Sequence, residues 1–338
     1  MIKKLAIALA GLAGLVVVVG LLLPKTAHVE RAVVINAPQA TVFTVLNGFR
    51  QFDQWSPWAD IDPGAKTTIE GAEFGVGAKM SWSGNAEVGS GSQEILESTP
   101  YTHIKVRLGF GDFPGAFFAT YALQAQDAGT QVTWAFDADY GGSLTGRYFG
   151  LLSDRMLGPD YEKGLARLKA FVEKLPKGDF SALKFEPVET AAAPVVLMSV
   201  RSADNPSAIG VALGVAYGRL SGYMNTEGLK QAAPPVAIYR GNGGGTLAID
   251  AAIPVDRDGG TPVNAVRMGH LQAGPAVRAE YRGAYAGLAA ARGQMLAYLA
   301  AAGLEADGPI WEQYVSDPAH TPEPQLITHI YMPIKRSS

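Results

Sequence analysis

Glu312 is the residue of this 338-residue chain whose setting most invites chemistry. It stands in the stretch GPIWEQYVSDP, residues 308–318, flanked by Trp311 and Tyr314. A carboxylate among aromatic side chains is costly to bury unless it is paired, hydrated or used. Two uses suit it. It could offset the charge of a cationic ligand held on aromatic faces, or act as a general base toward water in a dry cleft. Strand alternation puts Ile310, Glu312 and Tyr314 on one face and Trp311, Gln313 and Val315 on the other. The plainer alternative is a surface residue, or a local salt bridge to Arg282 or Arg240.

Other residues with chemical potential are poorly placed. His28, His103, His270, His320 and His329 are scattered, with no metal-ligand spacing among them, so no metal is expected. The chain has no cysteine, which removes disulfides and thiolate chemistry. Residues 241–246, GNGGGT, lack the Lys-Ser/Thr ending of a phosphate loop and read as a hairpin. No GxSxG elbow is present. No cofactor is implied. A net charge of −3 without a basic stripe gives no footing for nucleic acid.

The length suggests two domains behind an N-terminal segment. After Lys3 and Lys4, residues 5–23 carry no charge and no polar face. At about 1.5 Å per residue they span roughly 28 Å, close to a bilayer core. The lysines favour a cytoplasmic N-terminus. A cleaved signal peptide is the rival, but the run is long for one and Lys25 stands two residues before Ala27, a poor cleavage pattern. Residues 1–26 are therefore expected to form an uncleaved, single-pass anchor in the inner (cytoplasmic) membrane. The remainder would then be periplasmic or otherwise extracytoplasmic.

Residues 27–175 read as a strand, a short helix opened by Ala37-Pro38, and a strand-rich run from 66 to 140. Asp127-Ala128-Gly129 marks a hairpin. The Gly-rich stretch 141–150 reads as a connection to a closing amphipathic helix, whose start Gly158-Pro159 should break or kink. Tyr161, Leu165, Leu168 and Val172 form that helix's apolar face. This α+β order leaves a concave apolar interior. Candidate pocket residues are Trp55, Trp58, Trp82, Phe110, Phe118 and Trp134, against the alternative that they are core aromatics. Glu94 and Asp137 sit on strands, as pocket acids or, more commonly on an antiparallel sheet, facing solvent, and His103 reads as a strand-face residue. The Asn36-Ala37-Pro38 turn, WSPW, MSWSGNAEVGSG, GTQVTW and YEKGLARLKAFVE together resemble the SRPBCC superfamily, of START-like, polyketide cyclase/dehydrase type. The resemblance implies a helix-grip fold and leaves activity open.

Residues 176–194 are low in aromatics and read as a linker. The chain from 195 to 336 looks like one β-α-β-β module written twice. APPVAIY echoes DGPIWEQY, and LAIDAAIPV echoes LITHIYMPI. Asn205-Pro206 opens the first helix, with Ile209, Leu213, Ala216, Leu220 and Met224 inward. The second helix runs from about 285 to 301, with Leu288, Met295 and Leu299 inward, and stops near Gly303. Two such copies make one antiparallel sheet with two helices on one face, and the cleft is expected on the exposed face along the pseudo-twofold. YRGAYAGL, GPIWEQYVSDP and LITHIYMPI resemble the gyrase-inhibitor-like family, the effector-binding domain also fused to AraC- and MerR-type regulators. By that resemblance Glu312 takes the position of the acid in the ligand cleft. Tyr281, Tyr285, Tyr314 and Trp311 lie in the matched segments. Tyr217, Tyr223 and Tyr239 come from the first copy.

These observations predict a transmembrane helix, a helix-grip domain and a duplicated effector-binding domain, α+β throughout. The expected role is a membrane-anchored binding protein for small hydrophobic, amphipathic or cationic ligands. A hydrolase of small electrophilic compounds with Glu312 as base is one alternative. A scaffold for a protein partner is another.

Overall fold

A computed structural model describes residues 2–336, apart from 112 and 128. The chain divides into two compact units that meet in sequence at 177/178. The first begins with α1 (Ile2–Leu22), a helix long and apolar enough to cross a membrane. Then come β1 (Thr26–Ile35), α2 (Gln39–Leu46), α3 (Phe52–Trp55), β2 (Lys66–Gly71), β3 (Ala78–Ser83), β4 (Ser90–Thr99), β5 (His103–Gly109), β6 (Ala116–Gln126), β7 (Gly129–Asp139) and α4 (Leu144–Val172). The seven strands form one antiparallel sheet, ordered β1-β7-β6-β5-β4-β3-β2. Alternation sets its faces. Phe117, Ala119, Tyr121 and Leu123 of β6 are buried with Val132, Trp134, Phe136 and Ala138 of β7. The α4 side chains Tyr161, Leu165, Leu168 and Val172 close over this face.

Two expectations give way here. The stretch 141–150 is mostly helix, because the Ser143 side chain accepts a hydrogen bond from Gly146 N at 3.1 Å and starts α4 at Leu144. Gly158-Pro159 does not begin the helix; α4 runs through it. Arg31 of β1 explains the tolerance. Its guanidinium donates to Asp154 at 2.9 Å and to Glu162 at 2.8 Å, tying the turns on both sides of the proline. Gly158 lies so close to this arginine that a Cβ would stand 2.2 Å from Nη2. At the β6–β7 hairpin, Ala128 lies outside the described residues, while Gln126 and Gly129 pair across it.

The second unit contains β8 (Lys184–Thr190), β9 (Pro194–Ala203), α5 (Pro206–Glu227), β10 (Val236–Gly243), β11 (Thr246–Pro254), β12 (Arg267–His270), β13 (Gly274–Arg282), α6 (Leu288–Ala302), β14 (Trp311–Tyr314) and β15 (Ile327–Pro333). A short turn of tighter helix, Tyr285–Gly287, leads into α6. The sheet order is β12-β9-β11-β10-β14-β15-β13-β8. The first copy contributes β9-β11-β10, the second β14-β15-β13, and they meet at the β10–β14 pair. Asn205 caps α5 by accepting from Ala208 N at 2.9 Å. Both helices end on glycines in the left-handed region, Gly228 at φ 64° and Gly303 at φ 67°.

The stretch expected to be a linker contains an edge strand. β8 pairs with β13, and Phe180 and Leu183 before it are buried. Pro187 is compatible because an edge strand can spare one ladder donor. Lys184 and Arg278 hold the Glu186 carboxyl down to about 2, chiefly through side-chain hydrogen bonds. A depressed folded-state value gives stability that is present above the ordinary value of 4.5 and is lost as pH falls toward 2. Glu186→Gln should therefore lower stability at neutral pH, where the native carboxylate is charged and paired, and leave it least changed near pH 2, so that the acid limb flattens, as read by thermal melts from about pH 2 to 7.

Candidate functional site

The β10–β14 pair carries the pseudo-twofold through the second unit. Tyr239 N donates to Ile310 O at 2.9 Å, and Tyr314 N donates to Pro235 O at 3.0 Å, two mirrored bonds. Ala237 faces Glu312 directly across the pair. The spacing that relates Gly228 to Gly303 also relates Ala237 to Glu312, Tyr239 to Tyr314 and Tyr217 to Arg292. Duplication thus places three pairs of positions around one axis. One pair is conserved in type, and two are not.

Glu312 is wholly buried, at 0% exposure. Removing a carboxylate from water costs several kcal/mol, so its partners must repay that. Arg292 Nη1 of α6 donates to Oε1 at 2.5 Å. The hydroxyls of Tyr239 and Tyr314 both donate to Oε2, each at 2.9 Å. Three donors thus occupy three of the four lone-pair directions of the carboxylate. The Arg292 guanidinium also lies over the Tyr239 ring, 4.0 Å from its centroid. Burial first, and then the charge of Glu312, push both tyrosine hydroxyls well above their ordinary range, so they remain donors at any physiological pH. Tyr217 of α5 and Tyr285 set their rings edge-on to Tyr314, at 6.4 and 5.4 Å.

Two hydroxyls at this cluster make no hydrogen bond among the described residues. They are Tyr217 Oη and Thr328 Oγ1, both buried. Thr328 sits on β15 beside Tyr314 on one side and Tyr281 on the other. An unpaired buried hydroxyl costs about 1–3 kcal/mol, so two at one polar cluster point to a place for an outside acceptor or donor.

The Glu312 cluster lies on the helix-bearing face of the sheet, against α5 and α6, whereas the sequence suggested a cleft on the exposed face. Ile310 and Tyr314 pack against both the α5 core and the α6 core, which fixes the side to which Glu312 points. The ion-pair partner is neither Arg282, which binds Glu280, nor Arg240, which binds Asp250. Trp311 does not join the site. Parity turns it to the opposite face, where it stacks on Tyr331 at 3.8 Å. Tyr281 braces a turn, its hydroxyl donating to Ala284 O at 2.9 Å. Tyr223 lies farther along α5, bonded to Thr261 O at 3.1 Å. The structure thus brings Glu312, Tyr239, Tyr314, Tyr285 and Tyr217 together and adds Arg292 and Thr328. Arg292 had a signal in the sequence: it stands four residues after Leu288 and three before Met295, on the inward side of its helix.

In the first unit, Trp55 and Trp134 are core residues, each 2% exposed, with rings 5.5 Å apart. Trp134 stacks on Tyr161 at 3.9 Å. Neither indole N–H has a partner among the described residues. Trp58 meets Trp134 edge-on at 6.0 Å, and its Nε1 donates to Asp160 at 3.2 Å. Trp82 is half-buried over Gly91 and meets Phe110 at 6.3 Å. Phe118 faces away from this interior, its ring under Lys105 Nζ at 4.9 Å. Its position one residue from Phe117 decides that by parity. Glu94 pairs with Arg107 and Lys79, Asp137 with His28, and His103 with Glu97.

A helix-grip unit followed by a duplicated sheet with a charged, aromatic cluster between its helices defines a two-domain protein of the small-molecule-binding kind. Residues 26–173 match the family described as polyketide cyclase / dehydrase and lipid transport. Residues 185–335, a span that takes in β8, match the GyrI-like small molecule binding domain. The chain carries these two domains in that order. No curated protein matches it. Among solved structures, a protein from Chromobacterium violaceum is 21% identical, covering 44% of this chain and 98% of its own, with a TM-score of 0.32. The EcmrR C-terminal domain is 17% identical, covering 46% of this chain and 99% of its own, at 0.41. The di-domain aromatase/cyclase StfQ from the steffimycin biosynthetic pathway is 13% identical, covering 44% and 51%, at 0.35.

Proposed function

We propose that this chain is a membrane-anchored binding protein that takes small amphipathic ligands between α5 and α6 of its C-terminal domain, to sense, sequester or hand them over. The observation that carries the reading is the buried Glu312–Arg292 pair with two tyrosine donors and two unpartnered hydroxyls, Tyr217 Oη and Thr328 Oγ1. Aromatic faces suit the apolar body of such a ligand, and the free hydroxyls suit its polar end. Because Arg292 already offsets Glu312, the preference narrows to neutral or zwitterionic compounds. A cation would have to displace the guanidinium. In the same reading, residues 1–26 hold the protein in the inner membrane, with Lys3 and Lys4 on the cytoplasmic side and both domains outside it.

The test is calorimetric titration of the full chain in nanodiscs with matched amphiphiles bearing zwitterionic, neutral or cationic head groups. The zwitterionic and neutral members should bind at least about tenfold tighter than the cationic one, roughly 1.4 kcal/mol. Tyr217→Phe should weaken the preferred ligand by roughly 0.5–1.5 kcal/mol, the worth of one hydrogen bond. Equal binding of all three head groups, unaffected by Tyr217→Phe, would remove the cleft from consideration.

A further inference from the structure

The first turns of α4 expose apolar side chains that a solvated helix does not need. Phe149, Leu152 and Met156 follow the spacing of one helix face and are 46%, 49% and 55% exposed. Leu151 beside them is exposed too, and the half-exposed Phe113 meets Phe149 edge-on at 5.7 Å. Asp154 points elsewhere, bound to Arg31, and the exposed Arg155 borders the stripe between Leu152 and Leu151, a cation suited to lipid head groups. Grouped large apolar residues of this kind mark a surface that something covers.

The position of α1 indicates what covers it. Tyr148 Oη donates to Val16 O at 2.6 Å, and Arg147 Nη1 donates to Leu21 O at 2.8 Å. Gly20 is pressed against Tyr148 and Leu144, where a Cβ would stand 2.9 Å from the Tyr148 ring. The start of α4 is therefore fixed alongside the last two turns of α1, about 9 Å of helix rise from Val16 to Leu22. The apolar run of α1 spans roughly 28 Å against a hydrocarbon core of about 30 Å, so a bilayer needs all of it. The Leu21 carbonyl held by Arg147 then lies at the edge of the hydrocarbon, and the Val16 carbonyl reached by Tyr148 lies about 9 Å of helix rise inside it. The next turns of α4 start from that boundary, Phe149 standing one residue after Tyr148, within reach of the layer of about 5–10 Å in which an amphipathic helix face binds lipid. Tyrosine and arginine are residue types suited to that boundary.

We propose that the Phe149–Leu152–Met156 face of α4, with Phe113, is immersed in the leaflet from which α1 emerges, so that the first domain is docked on the bilayer and not carried on a free stalk. This rests on reading α1 as a membrane span. It gives the domain a function of position. Phe113 also touches Phe117 at 5.9 Å, and Phe117 stacks with Phe136 at 6.2 Å on the inner face of the sheet. A row of aromatic side chains thus leads from the leaflet to the domain interior, a route by which an amphipathic molecule exchanges with the membrane without crossing water.

The absence of cysteine makes the test clean, since each introduced thiol is the sole label site. Phe149→Cys and Leu152→Cys, both at exposed positions, are labelled with bimane in the full chain and reconstituted into vesicles with brominated acyl chains. Leu12→Cys reports on α1 itself. Gln126→Cys reports on water, because it lies at the far end of β6 and β7 from the Tyr140–Lys25 junction. Labels at 149 and 152 should be quenched by the brominated lipid at least about threefold more than the label at 126, as expected of an interfacial helix face. Quenching at 12 with 149 and 152 answering only to aqueous iodide would overturn the docking and spare the anchor. Labels at 149 and 152 shielded from both quenchers would put a protein surface, a second copy included, in place of lipid. A label at 12 that lipid does not quench would overturn the anchor and the docking together.

Discussion

Arg292→Met is expected to turn the Glu312 cluster, the ligand site proposed above, into a cation site. In the native protein the guanidinium holds Glu312 at 2.5 Å and covers the Tyr239 ring at 4.0 Å, so it occupies both the electrostatic and the aromatic place that a ligand cation would use. Methionine keeps most of the volume and removes the charge. The remaining carboxylate is buried with two tyrosine donors and no counter-ion, a change that costs about 3–5 kcal/mol. A lipophilic cation such as tetraphenylphosphonium should then bind at least about tenfold tighter than to the native protein, roughly 1.4 kcal/mol. At a hundredfold excess over its dissociation constant it should return about 2.7 kcal/mol of the lost stability. The double variant Arg292→Met/Glu312→Gln removes the stranded charge, so both effects should shrink together. Thermal melts with and without the cation, alongside calorimetry, read this directly. A single variant with native stability and no gain in cation affinity would show that the pair neither balances charge nor fills the ligand's place.

The asymmetry of the duplicated module makes this more than a local ion pair. Tyr239 and Tyr314 occupy equivalent positions in the two copies and aim at the same oxygen. The departures from symmetry come as a matched set: Glu312 against Ala237 on the strands, and Arg292 against Tyr217 on the helices. An acid without its arginine, or the reverse, would leave a buried charge uncompensated, so neither change is stable alone. The first copy supplies small and neutral groups at the same two places, including the unpartnered Tyr217 hydroxyl. The cluster therefore has a charged half and a neutral half with an unpartnered hydroxyl, the division that the proposed amphipathic ligand would use.

Sequence pattern revealed the architecture because the two periodicities are strong and local. The echo between residues 233–239 and 307–314 was enough to place β10 and β14 as equivalents, and the sheet order bears that out. What the pattern could not show depended on contacts far apart in sequence. Arg292 reads as one more solvated helix charge until its phase with Leu288 and Met295 is weighed. The side of the sheet to which Glu312 points is set by where α5 and α6 pack, which strand parity alone does not give. The region around Glu186 and Pro187 looks like a connector because half of an edge strand's residues face water and one can be proline. Trp311 is a different case. Parity separates it from Glu312, and its aromatic ring serves the packing of the opposite face, stacked on Tyr331.

The same tension between aromatic type and position runs through the first domain, where Trp134→Ala is expected to be its most damaging single truncation among the candidate tryptophans. Trp134 touches Trp55, Trp58, Tyr121 and Tyr161 and is 2% exposed. Deleting so large a ring from a packed interior costs about 3–5 kcal/mol, because the cavity cannot collapse against a sheet on one side and α4 on the other. Trp134→Phe should cost far less, roughly 1–2 kcal/mol, since it keeps a ring on Tyr161 and removes an indole N–H that has no partner. Gly164 supplies the internal control. A Cβ there would lie 2.7 Å from the Trp134 ring and 3.0 Å from Pro57, so Gly164→Ala overpacks the native core by about 1–3 kcal/mol. In the Trp134→Phe background the smaller ring makes room, and the two changes should cost less together than their separate costs predict. Hydrogen exchange of the β7 amides measures all four forms in the intact chain. If Trp134→Ala left those amides as protected as in the native protein, the aromatic row would be a ligand surface and not the core of the fold.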